Sequence, residues 1–241
     1  MKAEQFAVGN ERERPVDHCD REPEQMESDL RELLATVQNP HLRRLLALVF
    51  GEHTATWSAF REVPAAKHYH QAYRHGLLEH CLTVAQATHA TSMIFPGIDH
   101  DLAVSGALLH DIGKLEAYET RDDVVQMSDR GRLYGEIPLG YYCIRRLIEQ
   151  LGDFPPELER DLLHIILSHH GSLEHGSPVV PCTREATLVH MMDNLGGRLG
   201  SFDRIERQLP AGEQWSGYDK GIGGGAYFVS RSAPDPEREA A

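Results

Sequence analysis

Long apolar runs are missing from this sequence. No window of its 241 residues approaches the roughly 18 uninterrupted apolar side chains of a membrane span, so a water-soluble domain is expected. Also missing is a basic start followed by an apolar stretch. MKAEQFAVGNERERPVDHCDREPEQME is polar throughout, which points away from secretion or import and towards the cytoplasm. Cysteine is scarce and scattered. Cys19, Cys81, Cys143 and Cys182 form no Cys-x-x-Cys pair, which argues against a zinc knuckle and a disulfide framework and leaves reduced, structural thiols. Positive charge is short too. The net charge of -13 means that attraction to nucleic acid is not spread over the whole surface, and a polyanionic substrate must be met locally. Metal ions can meet it, because a dinuclear site brings about four positive charges to one point.

The length suits one helical domain with a full core. Residues 1 to 27 mix charges of both signs with Pro15 and Pro23 and read as a flexible tail. From Ser28 the apolar residues Leu30, Leu33, Leu34 and Val37 recur at helical spacing. Asn39-Pro40 then opens a second helix, and these two serve as scaffold. Further helical patterns cover about 76 to 93, 100 to 113, 137 to 151, 157 to 169 and 184 to 207, giving seven helices in a compact all-α bundle. Residues 117 to 134 suit a short hairpin, and GYDKGIGGGAYFVS suits a glycine turn leading into one short strand. That turn lacks the Gly-Lys-Ser/Thr ending and following helix of a phosphate loop. The domain is expected over residues 28–230, with a second tail at 231–241.

What is abundant is histidine, with fifteen residues. The informative pair is His110-Asp111 in GALLHDIGKLEAY, late in an otherwise apolar helix. An ionisable pair buried there is costly unless something compensates it, and a metal ion would. Lys114 lies one turn beyond His110 on the same face, suited to a phosphate oxygen. A His-Asp dipeptide alone is weak, since a buried His-Asp hydrogen bond explains it equally well. The pattern repeats, however: His80, His169-His170 and Asp193 also sit in apolar helices, so four helices each aim an imidazole or carboxylate inward. This ligand mixture suits manganese, iron, nickel, cobalt or zinc better than calcium. One ion can take His80, His110, Asp111 and Asp193. A second can take Asp111 as a bridge, His169, His170 and Glu136.

The ordered series His80, His110-Asp111, His169-His170 and Asp193 resembles the HD superfamily of metal-dependent phosphohydrolases. HGLLEHCLTVA, LLHDIGKLEAY, GRLYGEIPLG, ILSHHGSLEHGSPVVP and LVHMMDNL are similar to the HD domain of the YhaM family of 3′-to-5′ exoribonucleases, over roughly Ala65 to Phe228. The resemblance implies an HD-type helical bundle, core metal ligands at His80, His110, Asp111 and Asp193, paired histidines at 169 and 170, and Lys114 near the scissile phosphate. Three positions depart from it. Glu136 stands where a histidine is expected, Gly196 where relatives often carry a second acid, and His75 where a glycine is usual. The family also places an OB-fold upstream, whereas the first 65 or so residues here show no run of alternating strands.

The chemistry implied is attack of metal-activated water on phosphorus, with Asp111 bridging or orienting the water and Lys114 stabilising the transition state. His70, Arg74 and His75 in HYHQAYRHG are candidate substrate contacts, with a solvated loop as the plain alternative. His164 falls on a different helical face from His169-His170, and His190 lies one turn before Asp193, placed to orient it. His41, His53, His89, His100 and His175 are expected at the surface, and Trp57 and Trp215 in the core. The expected substrate is short RNA or single-stranded DNA. The alternatives are a phosphomonoesterase acting on nucleotides and a non-catalytic, metal-bound nucleotide sensor. Oligomeric state is left open.

Overall fold

The computed structural model describes residues 21–66, 71, 73–121 and 124–229. Helix α1 (Pro23–Thr36) starts with proline at its first turn and buries Met26, Leu30 and Leu33. Asn39 caps α2 (Pro40–Phe50) by accepting from the His41 and Leu42 amides. The turn between these helices is clamped by Asp101, whose Oδ2 accepts the Gln38 and Asn39 amides at 2.8 and 2.6 Å. Helix α3 (Ala55–Phe60), capped by Thr54, folds Trp57 and Phe60 onto Phe50, the two phenylalanine rings meeting edge to face at 5.1 Å.

Helices α4 (Gly76–Ser92) and α5 (His100–Leu109) form the centre. Every residue of α5 from Leu102 to Leu109 is buried, so it shows no amphipathic face. A helix apolar all round requires cover on every side. That cover comes from α2, α4, α9 (Pro156–Ser168) and α10 (Arg184–Gln208), while α8 (Glu136–Leu151) packs against α9. Between α5 and α8 run a tight turn at 110–113, the single-turn helix α6 (Lys114–Ala117), strands β1 (Tyr118–Arg121) and β2 (Val124–Met127), and α7 (Asp129–Tyr134). The strands pair antiparallel, Tyr118 opposite Met127 and Arg121 opposite Val124.

The bundle is the mostly helical one that the periodicity predicts, with a finer grain. Ten α-helices stand among the described residues where seven are expected, because α3, α6 and α7 are too short to show a helical period. The first helix begins at Pro23, ahead of Ser28, since Met26 is a core residue isolated among charges. Near the C-terminus the expected strand takes the form of two isolated antiparallel bridges, Trp215 with Tyr227 and Asp219 with Gly224. Residues 1–20 and 230–241, the greater part of the two expected tails, lie outside the described residues.

One glycine sets how closely the site's elements approach. A Cβ at Gly113 would lie 2.0 Å from the Glu136 carbonyl oxygen and 2.4 Å from the Gly140 amide nitrogen. The first turn of α8, which carries Glu136, therefore rests directly on the backbone of the 110–113 turn. Neither contact involves a flexible side chain, so a methyl group forces backbone movement. Gly113→Ala is expected to cost about 1–3 kcal/mol and to lower Tm by several degrees in thermal denaturation. A variant as stable as the parent protein would refute this contact.

Candidate metal centre

His110 and His169 occupy equivalent places in two helices. Each is the residue at which its helix ends, His110 after α5 and His169 after α9. There the last carbonyls have no intrahelical partner. Each imidazole takes one up through Nδ1, His110 from the Ala107 oxygen at 2.7 Å and His169 from the Ile166 oxygen at 2.8 Å. A carbonyl only accepts, so Nδ1 carries the proton and Nε2 presents a lone pair. His80, in the second turn of α4, is held the same way by the side-chain oxygen of Gln71, 3.1 Å from its Nδ1. Both helix ends also direct the negative pole of a helix dipole at the place where these nitrogens meet.

They meet among carboxylates. His80 Nε2 lies 3.2 Å from His110 Nε2, 3.3 Å from Asp111 Oδ2 and 3.1 Å from Asp193 Oδ1. His110 Nε2 lies 3.3 Å from Asp111 Oδ2 and 3.8 Å from Asp193 Oδ1. The second oxygen of Asp111 turns the other way, to His169 Nε2 at 3.5 Å. Beyond it His170 Nε2 stands 3.5 Å from Glu136 Oε1, its Nδ1 bonded to the His175 carbonyl. Asp111 thus joins two groups of acceptor atoms: its Oδ2 lies beside His80 and His110, which with Asp193 form the first, and its Oδ1 beside His169, which with His170 forms the second. The buried Cys81 thiol forms a further grouping with His110 and Asp111.

The donor set fits divalent cations. Ligand atoms about 2.1 Å from one ion stand roughly 3.0–3.4 Å from each other in octahedral or tetrahedral arrangement, close to the spacings of the first group. Asp111 Oδ1 and His169 Nε2 are buried and have no hydrogen-bond partner among the described residues. Orphaned buried acceptors are rare, and a cation satisfies both. The charge distribution agrees. Burial opposes a charge on His80, yet the Asp111 and Asp193 carboxylates push it up to about 9. Burial likewise opposes ionisation of Asp111, but Lys114 and His110 hold it well below the ordinary carboxylate range. Asp193 is held low against burial mainly by His80. A field that draws a proton onto buried His80 draws a metal cation equally.

Lys114 Nζ donates to Asp111 Oδ2 at 2.6 Å. Burial disfavours the ammonium, and Asp111 and Glu136 hold it charged nonetheless. Above the cluster opens a cavity of about 450 Å³, large enough for a nucleotide-sized ligand, with Lys114, Tyr118, Glu136, His170 and Asp193 among its walls.

Every expected ligand therefore reaches one locality, drawn from α4, the 110–113 turn, the start of α8, the end of α9 and the middle of α10. The expected substrate contacts do not gather there. Arg74 is 72% exposed and paired with Glu62, His75 is turned onto the Arg61 carbonyl, and neither lines the cavity. His70 lies outside the described residues. His175 is exposed, as its sequence context suggests, and it also lines the cavity, because the 3-10 turn Leu173–His175 folds back beside His170. Other expectations need correction. His190 reaches the His169 carbonyl at 2.7 Å in place of Asp193. Its ring lies where a Cβ of Gly171 would come within 2.0 Å, so only glycine fits at that turn. His164 accepts from the Cys182 amide at 2.8 Å, tying the loop after the paired histidines to α9. Trp57 is buried as expected, but Trp215 is 64% exposed. Its segment forms a bridged loop that leaves the indole outside the core. Cavity residues that sequence reasoning passed over include Tyr118, Asn194, Arg198 and Ser201. No periodic or motif signal marks them.

The HD-domain family model matches residues 77–197, a span that holds all of the ligands named above. The 3′-5′ exoribonuclease YhaM of Shouchella clausii (strain KSM-K16) is 30% identical to this chain over 197 residues, covering 79% of the chain and 58% of that protein. The chain thus spans a little over half the length of this curated relative. No solved structure matches significantly. Among the described residues no helix is long and apolar enough to cross a membrane. The matched family span, just over half of the chain, opens three residues before His80 and closes four after Asp193, so it encloses the whole histidine–aspartate cluster, and the chain belongs to the HD-domain family.

Proposed function

We propose that this protein is a metal-dependent phosphohydrolase that removes nucleotides from the 3′ end of short single-stranded nucleic acid in the cytoplasm. The observation that carries the hydrolase reading is Asp111, whose two oxygens enter two different groups of ligand atoms while Lys114 holds a positive charge against one of them. The exonuclease reading is supported by the likeness to a protein that is a 3′-5′ exoribonuclease.

Divalent ions at such a site, with manganese the proposed occupant, supply an acidified water and Lewis-acid polarisation of the phosphoryl oxygens. The chain's own residues do the rest. Asp111, joined to both groups, fixes their separation. Glu136 and His170 close the side facing the cavity. The Lys114 ammonium lines the cavity wall, placed to offset negative charge that builds on a phosphodiester in the transition state. In the reaction a water oxygen bonds to phosphorus, the P–O3′ bond breaks and the terminal nucleoside 5′-monophosphate departs. The shortened strand keeps a 3′-hydroxyl.

Two outcomes test this reading. Incubated with manganese and a 5′-labelled oligonucleotide, the protein is expected to yield a descending ladder. Asp111→Ala should lose bound metal by elemental analysis and about a thousandfold or more of the rate. A ladder from Asp111→Ala at the parental rate would sink the assignment, and free phosphate from nucleoside monophosphates with no ladder would point to a phosphomonoesterase. The second outcome concerns pH. Below about 9 a proton occupies His80 in the ion-free protein, and an incoming ion must displace it. Apparent metal affinity should therefore fall as pH falls below about 9, with about one proton released per ion bound, and become independent of pH above it. Titration calorimetry in buffers of differing ionisation enthalpy reads this directly, and pH-independent binding between about 6 and 8 would contradict the assigned ligand set.

A further inference from the structure

The catalytic cavity continues along α10. Gly197, Arg198 and Ser201 on that helix line it, together with Gly221 from the bridged loop that follows. One turn further, Arg204, Ile205, Gln208 and Leu209 line a second cavity of about 440 Å³, whose opposite wall is Trp215 to Asp219 of the same loop. The two cavities are consecutive along one helix. From Asp193 to Arg204 the helix rises roughly 16 Å at 1.5 Å per residue. That is the length of about five stacked nucleotides at 3.4 Å each.

The loop carries large rings that the core does not use. Trp215 is 64% exposed and Tyr218 78%, and the Trp215 and Tyr227 rings lie 4.9 Å apart. Single exposed aromatics are ordinary, but three on one short loop beside a groove mark a binding surface. The charges suit bases more than a run of phosphates. Arg204 neutralises Asp219 at 2.7 Å, and Glu213 adds one negative charge to the groove. Arg198, in the wall of the first cavity, is held by its bond to the Ile222 carbonyl at 3.0 Å, and Gly221 lies against Ser201 and Asp219 where the loop meets α10 between the two cavities.

We propose that this loop is a base-stacking platform for single-stranded nucleic acid. Trp215 and Tyr218, with Tyr227 beside Trp215, hold bases upstream of the 3′ end being cut, and Arg198 meets a phosphate in the first cavity. The inference rests on the exonuclease reading of the metal centre. Because stacking accepts any base, binding should vary little with sequence, and with few cations along the path it should depend on salt less steeply than binding in a basic groove.

The test compares a single strand of about ten nucleotides, longer than the measured path, with a dinucleotide, using the full chain and manganese. The ratio of kcat/KM for long over short substrate should fall about tenfold in Trp215→Ala and in Tyr218→Ala, through KM and not kcat. Tyr218 is the more exposed ring, so its variant remains informative if loss of Trp215 disturbs the bridge to Tyr227. Tyr142→Ala, on the outer face of α8, should keep the parental ratio. The platform is refuted if both loop variants keep the parental ratio, or if they dissociate a dimer in light scattering without moving KM, which would make the loop a protein interface. Parental protein that cuts no oligonucleotide but hydrolyses mononucleotides would overturn the platform by removing the exonuclease reading itself, a failure visible before any variant is made.

Discussion

The structure depends on holding acceptor atoms against their mutual repulsion. Three imidazole nitrogens and the carboxylates of Asp111 and Asp193 converge where no neighbouring backbone amide is placed to satisfy Asp111 Oδ1, and where His169 Nε2 lacks a partner among the described residues. Such a cluster collapses or scatters unless its members are fixed from behind. The fixing comes from helix ends. His110 and His169 each engage a carbonyl three residues back in their own helix, so one hydrogen bond both satisfies a terminal carbonyl and selects the tautomer that faces the site. Placing those ends together requires α5 to be buried on all sides, which explains why α5 lacks a polar face.

That reasoning also separates what was legible in the sequence from what was not. The ligands were legible because each breaks a rule of its own helix: an ionisable side chain in an apolar stretch demands a partner, and four such breaks in one chain are best explained by a common partner. The long helices were legible from periodicity for the same local reason. Gln71, which holds His80 from behind, was not, because its role depends on a contact across the start of α4 that no period predicts. Gly113 and Gly171 stand in the sequence as ordinary turn formers. Their work is to leave room for the first turn of α8 and for the ring of His190, and only the packed chain reveals those neighbours. Trp215 misled for the converse reason. Aromatic identity favours burial on average, but the bridged loop that carries it lies over the end of α10, and its ring stays in solvent.

An acidic surface and a polyanionic substrate are compatible if attraction is short-ranged. With a net charge of -13 the protein gains nothing from long-range steering. For the proposed substrate, affinity would then come from contacts made after arrival: a metal-loaded centre at one end of the strand and the proposed stacking rings along it. This division differs from that of basic nucleic-acid-binding proteins, where phosphate contacts dominate and salt governs affinity. It also gives α10 two tasks, Asp193 serving the metal centre and the helix beyond it forming the wall along which a strand would lie.

The substitution that most affects the centre is Glu136 in place of the histidine that the resemblance leads one to expect. It faces His170 at 3.5 Å, beside the group formed by Asp111, His169 and His170, and a carboxylate there gives the proposed site more oxygen donors, which suits the proposed manganese better than zinc. It also changes the charge balance. Once an incoming ion has displaced the His80 proton, Asp111, Asp193 and Glu136 set against Lys114 give the ligand set two net negative charges. A single divalent ion brings that only to neutrality, which offers a phosphodiester no net attraction. Two ions leave a surplus of two positive charges in a buried, low-dielectric place, where charge acts most strongly. On the proposed reading, the extra carboxylate makes double occupancy the state in which this centre would draw in an anion that the rest of the surface repels.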